Sequence, residues 1–361
     1  MNNIKHLYIH IPFCNKICSY CAFTKFFYNE EYVLKYLDAL ECEINEKYKG
    51  NKLDTIYIGG GTPSSLSKDA LNKLKSIISK LNINKNYEFT FEINPDIDLD
   101  KLKIIKSMGV NRISIGVETI NSKFYKEIGR ENDKKKLIKL INYSKKLFGN
   151  VNIDLMYGFR NESIKDLDKD IDFVLAQDVE HISIYGLMIE EHTKLFVEGY
   201  KEVSDDKLNK MYYHMDKRLE DAGYEHYEIS NFAKNGFISR HNNSYWENKE
   251  YYGFGIGASG YINNIRYDNT KSFSNYLNKK YIFEYENLSI YDKMIYEMIL
   301  GLRTKKGVGI NDFRKKYHKD IMEAFKIEDL IDSGYLKIEK GYIFIPKKYF
   351  FVENSILERF V

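Results

Sequence analysis

The sequence predicts an α/β protein: an incomplete TIM-like (β/α)6 barrel followed by a smaller, mostly helical domain that ends in a winged-helix-like β-hairpin. Between residues 6 and 187, six short runs of β-forming residues alternate with polar segments of helical periodicity. Six βα units in succession indicate a parallel sheet with right-handed crossovers. A full barrel has eight units, so an open doubly wound sheet is the alternative, and the pattern alone does not separate the two.

The predicted strands are rich in β-branched and aromatic residues, and in chain order they are "HLYIHI" (6–11), "TIYIGG" (55–60), "YEFTFEI" (87–93), "RISIGVE" (112–118), "VNIDLMYG" (151–158) and "HISIYGL" (181–187). The intervening segments are amphipathic. In "SIKDLDKDIDFVLAQD" the apolar side chains fall on one helical face, at Ile164, Leu167, Ile171, Val174 and Leu175. Glycines and acids stand at the strand ends. Because parallel strands present their carboxyl ends on one face, we expect the functional site there.

The alternation of strands and helices stops near residue 195, and this change predicts three regions. Residues 1–195 form the barrel, and residues 196–285 form a connecting region rich in Gly, Asn and aromatic residues. Residues 286–361 form the C-terminal domain, which ends in the hairpin "YLKIEKGYIFI". Helices followed by a small hairpin resemble a winged helix. No basic recognition helix stands out, so we expect this domain to pack or dock rather than bind nucleic acid.

The composition argues against several classes of protein. The net charge of the 361 residues is only +3 and the lysines are scattered, so the sequence offers no basic patch for nucleic acid. No stretch approaches the roughly 18 apolar residues of a membrane-spanning helix, and the start does not read as a signal peptide. Three of only four cysteines are clustered, which suits the cytoplasm. Any contact with a membrane surface would come through partners.

Three cysteines follow the first predicted strand within eight positions, as Cys14, Cys18 and Cys21. Three thiolates on one loop suit an iron–sulfur cluster, and a cubane held by three cysteines leaves one iron open to a small molecule. A structural zinc site is the alternative, but it requires four ligands, and only His10 is near enough to be the fourth. Buried structural thiols are a further alternative. Cys42, on the first predicted helix, is interpreted as a packing residue.

The spacing Cys-x3-Cys-x2-Cys, with an aromatic residue before the last cysteine, resembles the radical S-adenosylmethionine (SAM) superfamily. The resemblance implies a [4Fe-4S] cluster on the three cysteines, with the amine and carboxylate of SAM bound to the open iron. It also implies that an electron from the cluster can cleave the sulfonium of SAM. A low-potential cluster beside a sulfonium needs a dry pocket at the strand ends.

Further positions resemble the SAM-contacting positions of the superfamily's coproporphyrinogen branch. They comprise a glycine motif, two tyrosines, an arginine and strand-end acids: Gly60, Gly61 and Thr62 in "GGGTPS", Tyr8, Tyr20, Arg130, Glu92, Glu118 and Asp154. Glycines let backbone approach a ligand closely, although an ordinary βα turn would show the same pattern. Each acid could equally be a solvated strand end. Relatives usually carry Gln where this chain has Glu118, which can accept but not donate a hydrogen bond when ionised.

The second half of the chain resembles the HemW group of haem chaperones. The motifs that carry this resemblance are "YEISNFA", "RHNNSYW", "YYGFGIGAS" and "EMILGLRTKKGVGI". True coproporphyrinogen dehydrogenases usually carry a fourth cysteine two residues after the third and a longer N-terminal extension; here the position is Phe23. The resemblance therefore implies a protein that binds haem and delivers it to acceptor proteins. The alternative is an enzyme, an oxygen-independent coproporphyrinogen III dehydrogenase or another radical SAM enzyme acting on a tetrapyrrole.

His241 in "HNNSYW" is the haem candidate that follows from this resemblance. Imidazole is a common axial ligand of haem iron, and Tyr245 and Trp246 could pack on the macrocycle. A histidine that hydrogen-bonds a loop beside ordinary core aromatics is the alternative. The stretch "GIGASG" (255–260) formally matches a dinucleotide fingerprint, but it lies outside an early βαβ unit and is discounted.

Overall fold

The computed structural model describes residues 4–361; residues 1–3, at the start of the predicted barrel region, lie outside the described part. The strands are β1 His6–Ile11, β2 Phe13–Cys14, β3 Phe26–Phe27, β4 Leu53–Gly60, β5 Ile83–Ile93, β6 Arg112–Glu118, β7 Val151–Tyr157, β8 His181–Gly186, β9 Glu225–Glu228, β10 Asn231–Ala233, β11 Tyr251–Phe254, β12 Ser259–Ile262, β13 Ile265–Asn269, β14 Ile282–Asn287, β15 Val308–Gly309, β16 Lys337–Glu339 and β17 Tyr342–Phe344.

The α-helices are α1 Glu30–Lys47, α2 Lys68–Ile78, α3 Leu99–Ser107, α4 Tyr125–Ile128, α5 Lys134–Phe148, α6 Ile164–Gln177, α7 Lys194–Val197, α8 Asp205–Asp221, α9 Arg240–Trp246, α10 Phe273–Leu277, α11 Ile290–Gly301, α12 Ile310–Tyr317, α13 Ile321–Ala324, α14 Glu328–Asp332 and α15 Glu353–Leu357. Short 3-10 helices cover Pro63–Ser65, Lys347–Val352 and Glu358–Phe360. No helix in residues 4–361 is both long and apolar enough to cross a membrane.

The predicted α/β architecture is confirmed, with one change in strand number. The six predicted strands are β1, β4, β5, β6, β7 and β8, and they lie side by side in chain order, all parallel. An order without reversal, joined by right-handed crossovers, keeps the helices on one face, as in a barrel, whereas a doubly wound sheet reverses its order. The count of six is incomplete, because β11 pairs parallel to β1 on its other side.

The sheet of the described residues has twelve strands and does not close on itself. Its edges are β14 and β9, and the extra strands β9, β10 and β12–β14 pair antiparallel. The segment predicted as a connecting region, 196–285, therefore builds much of the sheet. Its strands of three to six residues are too short to show a clear period. The boundaries at 195 and 285 stay predictions.

Local signals explain why the helices begin where they do. Ser163 and Asp166 form a reciprocal capping box at the start of α6. Most of the predicted face of α6 is buried, including Leu167 and Ile171, but Ile164 is exposed because it occupies the first position of the helix. The central strands supply a contiguous core of Ile, Leu, Val and Phe. This rigid core fixes where the strand ends lie.

The C-terminal domain has the predicted composition of helices with a small antiparallel sheet. Strands β15, β17 and β16 pair in that order, and α11 and α12 pack on β15. Lys347 forms ion pairs with Asp216 and Glu220 on α8, at 2.7 Å and 2.6 Å. The domain is therefore tied to the end of the large sheet that carries β9 and β10.

Candidate cofactor site

The cysteine loop follows β1 and is fixed at several points along its backbone. Strands β2 and β3 pair so that Cys14 lies opposite Phe27, and the Tyr28 amide donates to the Cys14 carbonyl at 2.9 Å. On the other side, the Ser19 amide donates to the Ile128 carbonyl at 3.2 Å. The loop is therefore held between the end of the first strand and the helix that follows β6.

The three thiols lie near one another and meet groups from the segments that follow β4 and β6. Electrostatic coupling among them contributes to the pKa of Cys14, which burial raises to about 11. The Thr62 hydroxyl donates to the Cys14 sulfur at 3.4 Å, and the Arg130 Nε donates to the Cys18 sulfur at 2.9 Å. Both contacts favour thiolate, the form that binds metal. Cluster assembly would therefore deprotonate a buried thiol that is otherwise protonated.

The donor set, three thiols on one loop, fits an iron–sulfur cluster. Across residues 4–361, no three His, Cys, Asp or Glu side chains converge closely enough to hold one metal ion. The cysteines of a cluster bind different iron atoms, so their sulfurs stand farther apart than the ligands of one ion. His10, the candidate fourth zinc ligand, has both ring nitrogens engaged, Nε2 by the Thr24 carbonyl at 2.8 Å and Nδ1 by the Tyr8 hydroxyl at 2.9 Å.

His10 also defines the role of Tyr8 in the described arrangement. A carbonyl oxygen can only accept, so the His10 Nε2 carries the proton that Thr24 accepts, and Nδ1 accepts from Tyr8. Tyr8 thus supports the ring that links β1 to the cysteine loop. Its contact with SAM stays a prediction.

The glycines of "GGGTPS" are required by the chain's own packing. A Cβ on Gly60, whose φ is +116°, would lie 2.5 Å from the His10 ring, and a Cβ on Gly61 would lie 2.9 Å from the Pro12 backbone. A Cβ on Gly59 would lie 2.7 Å from the Glu92 carboxyl. The motif therefore lets the end of β4 approach β1, the cysteine loop and β5 at once.

The backbone N–H groups of this motif are already committed within the chain. Gly60 donates to Glu92 at 3.0 Å, Gly61 to the Ile11 carbonyl at 2.9 Å, and Thr62 to the Phe13 carbonyl at 2.9 Å. Carbonyl oxygens are what the motif can offer to a ligand that donates hydrogen bonds. This matches the amino group of SAM, which donates.

Glu92 is a half-buried carboxyl between the glycine motif and a tyrosine. Its oxygens accept from the Tyr57 hydroxyl at 2.7 Å and from the Gly60 amide. Burial raises the pKa of Glu92 to about 7, because few polar groups replace the lost water. Asp154 is held similarly, by the Ser114 hydroxyl and the Asn152 side-chain amide, both at 2.8 Å. Burial raises the pKa of Asp154 as well.

Glu118, Arg130 and Tyr20 form one group at the end of β6. Glu118 has a φ of +64°, a left-handed conformation uncommon for any residue but glycine. Arg130 lies 3.4 Å from the Glu118 carboxyl and donates to the Gly116 carbonyl at 2.6 Å. Burial raises the pKa of Glu118, and the positive charge of Arg130 opposes that rise. Tyr20 lies beside both.

His241 lies towards the amino ends of the strands, away from the cysteine loop, and its ring packs on Tyr57 with the centroids 5.2 Å apart. It contacts the N-terminal half of β4, where its Nδ1 lies 2.8 Å from the Thr55 hydroxyl oxygen. Its Nε2 meets the Tyr245 hydroxyl at 2.8 Å, and the residue is only 1% exposed. An iron bond to His241 would require the ring to leave both partners. Its role in a haem site stays a prediction.

One loop at the site was quoted from the sequence, as a discounted dinucleotide motif and within "YYGFGIGAS", but it was not assigned to the site. Residues 255–258, after β11, lie against the cysteine loop: a Cβ on Gly257 would be 2.3 Å from the Thr24 hydroxyl, and one on Gly255 would be 2.6 Å from the His10 carbonyl. The Gly-rich sequence of this loop was visible. Because strand β11 was not predicted, the sequence did not show that the loop lies at the carboxyl ends of the parallel strands. Tyr57, which binds Glu92, carried no motif.

The comparisons with known proteins identify the family of the chain. Residues 8–174 match the family model described as the radical SAM superfamily, and residues 291–348 match the HemN C-terminal domain. The heme chaperone HemW of Lactococcus lactis is 37% identical over 98% of this chain and 96% of its own. HemW of Bacillus subtilis is 38% identical over 92% of this chain and 93% of its own.

The fold is similar to that of coproporphyrinogen III oxidase (HemN) from Escherichia coli, a radical SAM enzyme. The TM-score is 0.88 at 21% identity, and the match covers 99% of this chain and 90% of that one. The resemblance to the radical SAM superfamily and to the HemW group is thereby confirmed. With more than a third of the residues identical to two HemW proteins along almost their whole length, the chain belongs to the HemW family of heme chaperones within the radical SAM superfamily.

Proposed function

We propose that this protein is a haem chaperone that binds haem, holds a SAM-coordinating [4Fe-4S] cluster and delivers haem to acceptor proteins. The observation that carries the proposal is the cysteine loop: three thiols gathered at the strand ends, with exposed Phe23 where dehydrogenases usually have a fourth cysteine. The relatives named heme chaperones support the assignment of haem as the cargo. We expect the protein to act in the cytoplasm, where the cysteines stay reduced.

Cys14, Cys18 and Cys21 would hold the cluster, which when bound supplies an electron and an open iron that binds SAM. Thr62 and Arg130 donate hydrogen bonds to two of the sulfurs and would lower the electron density on them. Burial of Cys14 keeps water away from this side of the site. The chain thereby offers a pocket that is dry on the side of Cys14, in which these two hydrogen bonds would stabilise the reduced cluster.

SAM would lie along the strand ends beside these cysteines. The Glu92 and Asp154 carboxylates are suited to accept hydrogen bonds from ribose hydroxyls, and the carbonyls around Gly60 and Gly61 from the amino group. Arg130 would orient Glu118 on the other side. Tyr8, Tyr20 and Thr62 complete the set by fixing the His10 ring, the β6 end and the cysteine loop.

An anaerobic assay separates this function from the enzymatic alternative. The reconstituted protein is incubated with coproporphyrinogen III, SAM and a reductant, and in parallel is titrated with haem. We expect no protoporphyrinogen and a saturable Soret band. Robust formation of protoporphyrinogen would instead make the protein an oxygen-independent coproporphyrinogen III dehydrogenase, and a missing Soret band would remove haem as its cargo.

A further inference from the structure

The described histidines differ sharply in whether their rings are free. Those with a ring nitrogen already bound to another group of the chain are His6, His10, His181, His214, His226 and His241. Within residues 4–361, His192 and His318 are exposed and have no hydrogen bond or ion pair to their rings. A haem iron needs an accessible imidazole nitrogen, and among the described histidines these two offer one without losing a partner.

His192 follows the carboxyl end of β8, and the cysteine loop follows the carboxyl end of β1, so both lie at the same end of the parallel strands. His192 directly precedes Thr193, whose side chain caps α7. The segment is attached to the cysteine loop by a hydrogen bond of 3.0 Å from the Leu195 amide to the Ser19 carbonyl. His318, by contrast, ends α12 in the C-terminal domain.

The backbone presents the His192 ring outward. Its φ is +66°, and histidine is among the few residues that adopt this conformation without severe strain. On either side the chain is anchored inward, since Leu187 and Leu195 are buried in a small cluster with Phe124 and Ile128. The backbone at His192 is therefore anchored on both sides, while the residue itself is exposed.

Large apolar side chains surround this histidine in the sequence and are exposed. The exposed fractions are 65% for Met188, 50% for Phe196 and 78% for Val197. Phe23, on the adjoining cysteine loop, is 68% exposed. Exposed apolar side chains that adjoin an accessible imidazole are available to an apolar ligand. A porphyrin face is apolar and aromatic, and a thioether such as that of Met188 is itself a known type of haem ligand.

We propose that haem docks on the segment Leu187–Tyr200, with the His192 imidazole bound to the iron and Phe196 and Val197 against the macrocycle. This rests on the proposed function and names the haem site within it. The exposed Lys194, whose pairing with Glu198 is weak because both side chains are exposed, is available to a propionate. A ligand held on an open surface by one histidine can be passed to an acceptor without unfolding a pocket.

The test compares three proteins by haem titration of the cluster-loaded chain: wild type, His192→Ala and His318→Ala. His318→Ala is the matched control, since it removes the other free, exposed imidazole. We expect at least about tenfold weaker binding or a shifted Soret band for His192→Ala and wild-type behaviour for His318→Ala. Phe196→Ser should also weaken binding, without moving the Soret band, because it removes apolar contact but not the iron ligand.

The outcomes separate this inference from the proposed function. If the wild type binds haem and His192→Ala binds it with the same affinity and spectrum, the site is elsewhere and the haem chaperone assignment stands. If His241→Ala alone abolishes binding, the buried histidine is the ligand and His192 is not. A wild-type chain that binds no haem would refute both this inference and the haem chaperone assignment. Unchanged cluster absorbance in His192→Ala shows that the variant is folded.

Discussion

The Nε atom of Arg130 lies 2.9 Å from the sulfur of Cys18, across 112 residues of sequence. The same guanidinium donates to the Gly116 carbonyl and lies 3.4 Å from the Glu118 carboxyl. Arg130 therefore joins the cysteine loop to the end of β6. One side chain couples the predicted cluster to the predicted SAM pocket.

Replacing Arg130 by Met should destabilise the protein and its cluster. The change leaves the buried Glu118 without its cation, and breaking such a pair costs about 3 kcal/mol. We expect a lower free energy of unfolding and faster loss of iron. Arg359→Met is the control: its pair with Asp329 is exposed and should contribute under about 1 kcal/mol. Equal effects of the two variants would contradict the coupling role of Arg130.

Gly60→Ala should be far more damaging than Gly149→Ala. Both glycines have positive φ, at +116° and +71°, but an added Cβ meets the His10 ring at Gly60 and nothing within 4 Å at Gly149. Gly149→Ala should cost about 1 kcal/mol of unfolding free energy from backbone strain. Gly60→Ala should cost at least about 2 kcal/mol more, from the clash. Denaturant unfolding measures the cost of both substitutions. Similar costs would mean that the His10 ring moves aside without destabilising the fold, and would contradict this prediction.

Glu92 should make stability depend on pH. Burial raises its pKa from 4.5 to about 7, so below pH 4.5 the carboxyl is protonated in both folded and unfolded chains. As the pH rises towards 7 the unfolded chain ionises first, and the stability that protonated Glu92 contributes is lost. The wild type should lose about 3 kcal/mol relative to Glu92→Gln over this range. Parallel pH profiles of the two proteins would refute the raised pKa.

Asp154→Asn should weaken SAM binding while the cluster still assembles. The carboxylate is held by Ser114 and Asn152, and its remaining lone pairs are suited to the ribose hydroxyls. Loss of a hydrogen bond to a charged acceptor costs about 1.5–3 kcal/mol, which is roughly ten- to hundredfold in Kd. Calorimetry measures the affinity, with the exposed Asp100→Asn as control. Unchanged affinity would move the ribose away from β7.

The large elements of the fold were predictable because their periods are long and regular. Strands β1 and β4–β8 each read as a β-rich run followed by an amphipathic segment. Strand β11 was not predictable, because "YYGF" is four residues long and its pairing partner β1 lies some 240 positions earlier. The missed strand also concealed the position of residues 255–258.

Motifs gave the residue types of the site, but not their partners. The spacing of the cysteines and the position of Glu92 after a strand were visible in the sequence. The bonds of Tyr57 to Glu92 and of Thr55 to His241 were not, since they join strands and helices distant in the chain. Whether a histidine is buried and bonded, like His241, or free, like His192, depends on such tertiary contacts.

The proposal depends on a cluster with one iron that no cysteine binds. Electron paramagnetic resonance of the reduced cluster tests whether SAM binds that iron. Protein reconstituted anaerobically should hold about four irons per chain, as in a cubane cluster. Cys42→Ala should retain them, and the triple change of Cys14, Cys18 and Cys21 to Ala should lose them. Adding SAM to the reduced wild type should alter the spectrum, because its amine and carboxylate bind the iron that lacks a cysteine. An identical spectrum with and without SAM, or loss of the cluster in Cys42→Ala, would contradict a cluster held by these three cysteines with one iron open.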